Sequence, residues 1–239
     1  MVLNTPDDWQ LGEIARDLAT LQGVVDQFVI HYDANGTSAG CFKTLQDVRG
    51  LSVHFMLDLD GTIYQTLDLK EGAWHATKAN RRSIGIEIAN IGAYPADQAA
   101  SPLDRWYARD ADGKARITIP DGAEAGRLRG RSDPLRPIRS EPVVGNIQGQ
   151  RLRQYDLTPE QYDSLIKLTA TLCALFPQIR CDYPRDTTGA LVPMKLPDDS
   201  YTQYKGILGH YHVQANKVDP GPAFQWDRVI DGARRLLPR

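Results

Sequence analysis

Histidine is scarce and unevenly placed in this chain. Only five of its 239 residues are histidine, at 31, 54, 75, 210 and 212, and the 134 positions from 76 to 209 hold none. The reactive side chains concentrate in four segments. These are FVIHYD with His31, AWHAT with His75, GIEIAN with Glu87, and GHYHVQANKVDPGPAFQW with His210, His212, Lys217 and Asp219. Imidazole and carboxylate are the ligand types of a catalytic zinc site, where three protein groups at about 2.0–2.2 Å leave a fourth position to water. Such an ion lowers the pKa of that water to about 7. A carboxylate that is not a ligand then takes the proton, and a lysine near the carbonyl steadies an oxyanion.

Spacing alone leaves plainer readings open, because no H-E-x-x-H helix fixes the ligands on one face. His31 follows Val29 and Ile30 and also reads as a core histidine. Glu87, on the opposite strand face from Ile86 and Ile88, also reads as a solvent-facing glutamate. Lys217 also reads as a surface charge, and Asp219 before Pro220 as the start of a turn. His54, alternating with Val53 and Phe55, reads as a hydrogen-bonded structural histidine. Thr37, Ser38 and Cys41 have no base near them in sequence, which argues against nucleophilic catalysis.

Several elements must position these groups. Residues 7–21 read as an opening helix with Trp9, Leu11, Ile14, Ala15 and Leu18 on one stripe. QFVIHY (27–32) has the length of a buried strand. VHFMLDLDGTIYQTL (53–67) reads as two strands joined at Asp60-Gly61, a dipeptide tolerant of positive φ. SIGIEIAN (83–90) alternates like another strand. The spacing predicts a helix over 159–176, with Thr158 and Gln161 forming a capping box and Pro159 at the first helical position. Its apolar face holds Tyr162, Leu165, Ile166, Leu172, Cys173 and Phe176. A last helix is predicted over about 223–236, with Phe224, Val229, Ile230, Ala233 and Leu237 inward.

Composition bounds the function classes. The chain is 41% hydrophobic and 24% charged, with a formal net charge of −2. That is enough apolar matter for a core, and it gives no electrostatic reason to expect nucleic acid as a partner. Three separated cysteines without a C-x-x-C pair argue against a disulfide framework and a cysteine zinc module. No run approaches the roughly 18 apolar residues of a membrane span. The opening residues lack the basic and apolar regions of a signal peptide, which leaves the location open between cytoplasmic and, if a leader has been removed, exported or periplasmic. Residues 101–154 carry a net +4 against −6 for the rest of the chain. Since a structureless loop of that length is improbable in a compact domain, this segment reads as an insertion with hairpins at ARITI (115–119) and VVGNIQ (143–148). A second, smaller insertion is expected at about 177–206. Such a charge-rich segment reads as a solvated surface, or, from its +4 balance, as one that meets acidic groups of a ligand.

SVHF, AWHA, SIGIE and DPGPAF occur in this order, and with FVIHYD, DLDGTIYQ and GILGH they form a specific signature. On these motifs the chain resembles the zinc-dependent N-acetylmuramoyl-L-alanine amidases of the type-2 amidase family, AmpD-like enzymes related to the peptidoglycan recognition proteins. The likeness covers about residues 26–91 and 158–230. It implies one α/β domain over 1–239, a central mixed β-sheet flanked by helices, with a zinc groove on one face. It also implies Zn²⁺ held by His31, His210 and Asp219, Glu87 as the catalytic carboxylate, and Lys217 as the group steadying the tetrahedral intermediate. His75 is implied on the substrate-binding border of the groove. The family motif has one more residue between histidine and aspartate than the interval from His210 to Asp219, and His212 is the alternative ligand. The implied partners are muropeptides or peptidoglycan sacculi. The other readings are a peptidoglycan-binding module without catalysis, and a zinc amidase acting on a different amide.

Overall fold

A computed structural model of the chain describes residues 17–124, 126, 128 and 134–238. The first elements are α1 (Leu18–Val24), β1 (Gln27–Tyr32) and α2 (Ser38–Lys43), which runs into a π-helical turn at Thr44–Arg49. Then come β2 (Phe55–Leu57), β3 (Ile63–Gln65), β4 (Ser83–Ile88), β5 (Tyr94–Pro95), α3 (Leu103–Trp106), β6 (Tyr107–Arg109) and β7 (Ala115–Ile117). The remainder comprises β8 (Val143–Ile147), β9 (Gln150–Gln154), α4 (Pro159–Leu175), α5 (Asp198–Gln203), β10 (Gly206–Gly209), α6 (His210–Val213) and α7 (Trp226–Leu236). Most of the helix expected over 7–21 lies outside the described residues. The helix seen there, α1, begins after Asp17, whose carboxylate accepts the Thr20 N–H at 2.7 Å.

The central sheet is mixed and has the order β10-β1-β4-β2-β3. Its first four strands are parallel, and β3 closes the edge antiparallel to β2 through the Asp60-Gly61 turn. Strand alternation divides its two faces. Phe28, Ile30, Ile84, Ile86, Ile88 and Ile207 share one apolar cluster with Tyr162, Leu165, Leu172 and Phe176 of the α4 region and Val229 and Ile230 of α7. Val29 and Leu208 point the other way, among Ala76, Ala79, Tyr201 and Val213. That second face, at the carboxyl ends of β1 and β4, carries His31 and Glu87. Ligands of open α/β sheets bind at that end.

α4 starts where its caps require. The Thr158 hydroxyl accepts the Gln161 N–H, and the Gln161 side chain accepts the Thr158 N–H, both at 3.0 Å. The same two side chains donate to the carbonyls of Leu59 and Ala89, so the cap also ties the helix to the strand ends. α7 begins at Trp226 rather than 223, because the preceding backbone is held from outside. Ala223 N–H donates to Gln154, and Gln225 N–H donates to the Tyr162 hydroxyl.

The segment 101–154 is woven into the body of the protein. ARITI contributes β7, paired with β6, and VVGNIQ contributes β8. β9 pairs with both β8 and β5, and β5 lies before the segment. Ile147 and Leu152 enter the main apolar cluster. Several of the segment's arginines are ion-paired, Arg109 with Glu141, Arg136 with Asp110 and Arg139 with Asp156. Residues 177–206 are likewise tied in. Leu196 and Tyr201 are buried, and the Tyr183 hydroxyl donates to Asp227.

Candidate metal centre

Three side chains from distant parts of the sequence converge at the carboxyl end of the sheet. His31 ends β1, His210 opens α6 directly after β10, and Asp219 follows in the loop before α7. His31 Nδ1 lies 3.0 Å from His210 Nδ1 and 2.9 Å from Asp219 Oδ2, and His210 Nδ1 lies 3.0 Å from the same oxygen. All three residues are buried. The Gly-His pair makes this approach possible, since a Cβ on Gly209 would come within 2.6 Å of Pro220 Cδ. The Tyr211 N–H also donates to the Asp219 carbonyl at 3.2 Å.

The outer nitrogens are also engaged. His210 Nε2 faces Gln214 Oε1 at 2.6 Å, and His31 Nε2 faces His75 Nδ1 at 2.9 Å. A neutral imidazole has one N–H. With that proton directed outward from each ring, two nitrogen lone pairs and one carboxylate oxygen face a common point. Such a set repels itself unless a cation sits among its members, and two imidazoles with one carboxylate are a fitting donor set for zinc. Among the described residues this is the one group of three or more His, Cys, Asp or Glu with ligand atoms all within 4.8 Å. Burial, followed by the neighbouring His210, pushes His31 down to about 4.

Glu87 stands beside this group. It is register-paired with His31 across β1 and β4, and its Oε2 is buried without a hydrogen-bond partner. Burial, reinforced by Asp219 and Asp33, raises its carboxyl well above the ordinary value, while Lys217 and Arg49 pull the other way. Lys217, half-buried in the loop between α6 and α7, acts electrostatically on both Glu87 and His31.

The two other candidate histidines take different places. His212 turns away from the metal group. Its Nδ1 accepts the Gly209 N–H at 2.9 Å, and its Nε2 donates to the Val192 carbonyl at 2.8 Å. His75, expected on the groove border, is partly exposed, and its ring nitrogens face His31 Nε2 at 2.9 Å and Ser83 Oγ at 3.2 Å. His54 bridges the Gly85 N–H and the Glu71 carbonyl, as a structural histidine would. Sequence reasoning missed Gln214 and Gln154. Gln214 carried little signal, since it lies just past the end of α6 and reaches His210 from an extended backbone. Gln154 had none, since it reaches the ligand loop only through tertiary pairing. Its amide donates to the Pro220 carbonyl at 3.0 Å and accepts the Ala223 N–H at 3.0 Å.

Residues 21–222 match the Amidase_2 family, N-acetylmuramoyl-L-alanine amidase, and the chain belongs to this family. No curated protein matches it in sequence. Among solved structures it is similar to the N-acetylmuramyl-L-alanine amidase AmiD from E. coli in complex with anhydro-N-acetylmuramic acid-L-Ala-D-gamma-Glu-L-Lys. That likeness has 18% identity and a TM-score of 0.47, covering 87% of this chain and 57% of AmiD. It is also similar to the N-acetylmuramoyl-L-alanine amidase LysC from Clostridium intestinale URNW, at 15% identity and TM-score 0.46, over 100% of this chain and 95% of that one. A selenomethionine derivative of AmpD matches at 17% identity and TM-score 0.42, over 91% and 87% of the two chains.

Proposed function

We propose that this protein is a zinc-dependent N-acetylmuramoyl-L-alanine amidase. It hydrolyses the amide between the lactyl group of N-acetylmuramic acid and the L-alanine of the stem peptide, in muropeptides or peptidoglycan. The observation that carries this reading is the convergence of His31, His210 and Asp219 beside the unpartnered carboxylate oxygen of Glu87, in a chain of this family. His31, His210 and Asp219 hold the metal. Bound zinc supplies a Lewis acid that polarises the amide carbonyl and acidifies water.

The chain's own residues do the rest. Glu87 takes a proton from the attacking water as its oxygen bonds to the carbonyl carbon. Burial raises the proton affinity of this carboxylate, which strengthens it as a base. Lys217 holds the negative charge that develops on the carbonyl oxygen. When the C–N bond breaks, Glu87 returns the proton to the departing nitrogen. The products are the muramyl carboxylate and a stem peptide with a free L-alanine amine.

Mass spectrometry of a muropeptide digest tests the proposal, run with zinc-loaded protein, a chelated control and Glu87→Ala. Release of free stem peptide by the zinc-loaded protein alone is the expected result. Binding without cleavage would replace the proposal with a recognition module. Cleavage of sugar-free peptides instead would replace it with an amidase for another amide.

A further inference from the structure

We infer that His75 is a positioning residue that fixes the tautomer and ring orientation of His31, and does not serve as a contact for substrate. The inference rests on the zinc site proposed above. His31 Nδ1 faces the metal group, so its single proton belongs on Nε2, and that atom lies 2.9 Å from His75 Nδ1. His75 must therefore accept at Nδ1 and carry its own proton on Nε2, where Ser83 Oγ waits at 3.2 Å. Each ring's tautomer sets that of the next. The His31 and His75 rings meet edge-on, with centroids 5.1 Å apart and planes at 84°.

Two features hold His75 in place. Its ring lies directly over Gly85, where a Cβ would come within 2.7 Å of Cε1 and Nδ1. This gives the glycine of SIGIE a specific purpose, because any side chain there would displace the ring. The loop is pinned as well, with Asn80 Oδ1 accepting the N–H groups of His75 at 3.1 Å and Ala76 at 2.6 Å. Outer partners of metal-bound histidines orient the ring and raise its basicity, and removing one typically costs about 10–100-fold in metal affinity or activity.

The test measures zinc affinity by chelator competition, together with the nitrogen NMR of histidine in the zinc-loaded protein. In the unmodified protein, His31 should be protonated at Nε2 and show a scalar coupling across the hydrogen bond to His75 Nδ1. His75→Ala should bind zinc about 10–100-fold more weakly. His75→Asn, which keeps a side-chain acceptor near the position of Nδ1, should recover much of that loss. Gly85→Ala should weaken zinc binding with His75 still present. With zinc saturating, KM for muropeptide should stay unchanged in His75→Asn. Wild-type zinc affinity in a folded His75→Ala would overturn the inference and leave the zinc site intact. Should the variants fail to fold, an Nε2-unprotonated His31 in the unmodified protein would overturn it equally. An unmodified protein that binds no zinc would overturn both the inference and the proposed metal site.

Discussion

Glu87 stands directly opposite His31 in the parallel register of β1 and β4, with both side chains on the face of the sheet turned away from the main apolar core. This pairing places the Glu87 carboxylate next to an imidazole of the candidate metal group without help from any loop. Glu87 is paired on both sides, with His31 of β1 and Met56 of β2, so the spacing between the two residues is set by the strand ladder. Glu87→Gln should therefore leave zinc content and the folded state unchanged. Turnover should fall by about 10²–10⁴-fold, the usual contribution of a positioned general base. Metal analysis beside steady-state rates checks this, and normal turnover would remove Glu87 from the mechanism.

Substitution of the two neighbouring histidines should separate cleanly. His210→Ala should abolish zinc binding. His212→Ala should keep it, because its ring nitrogens serve the Gly209 N–H and the Val192 carbonyl. The cost there should be stability, about 1–3 kcal/mol for leaving buried polar groups unpaired. Zinc titration paired with urea unfolding distinguishes the two variants. Loss of zinc from a folded His212→Ala would reverse the assignment.

His54 should give the protein an acid-sensitive limb. Burial pushes its pKa from 6.5 down to about 4, so the folded state holds it neutral while the unfolded chain protonates it. Between those values the unfolded state binds more protons, and stability rises with pH. The contribution is complete above about 6.5 and is lost as pH falls through about 4, to a ceiling on the order of 3 kcal/mol. Protonation would also remove the acceptor used by the Gly85 N–H. Urea midpoints of the metal-free protein from pH 7 to 4 should fall more steeply for the wild type than for His54→Asn. Parallel curves would show that another group governs the limb.

Thr158→Ala should destabilise the protein by about 1 kcal/mol through loss of the cap. A further penalty is expected for the Leu59 carbonyl, which loses its donor. The effect should appear as a lower denaturation midpoint with kcat and KM unchanged, since α4 packs on the face of the sheet away from the metal group. A change in kcat at full folding would mean that the two faces are coupled.

Removing the 101–154 segment should unfold the protein, because β9 supplies Leu152 to the core and Gln154 to the ligand loop. A finer probe is Gln154→Ala. It should weaken zinc binding several-fold by freeing the Pro220 carbonyl and Ala223 N–H, each a lost hydrogen bond of roughly 1 kcal/mol. Calorimetric zinc titration reads this directly, and unchanged affinity would mean that the Asp219 loop is held without Gln154.

Much of the architecture is local in origin and is therefore written in the chain. Period-two alternation in QFVIHY and SIGIEI assigns Phe28, Ile30, Ile84, Ile86 and Ile88 to one face and His31 and Glu87 to the other. Thr158, Pro159 and Gln161 set the start of α4 within four residues of sequence. The Asp60-Gly61 turn marks the β2–β3 hairpin in the same way. The motif signature likewise identified the family.

Tertiary structure decided what depends on contacts between distant segments. Whether His210 or His212 faces the metal group depends on a helix beginning exactly one residue after Gly209 and on Pro220 packing against that glycine. The approach of His75 to His31 depends on the bare surface that Gly85 leaves on a strand eight to ten positions further along. The basic segment reads as an insertion because its charge and its glycine and proline content are local properties. Its pairing with β5, its arginine ion pairs and its hold on the Asp219 loop are non-local, and no periodicity encodes them. Backbone dihedrals and caps are set by neighbours in sequence, whereas side-chain partners are set by which surfaces the completed sheet brings within hydrogen-bonding reach.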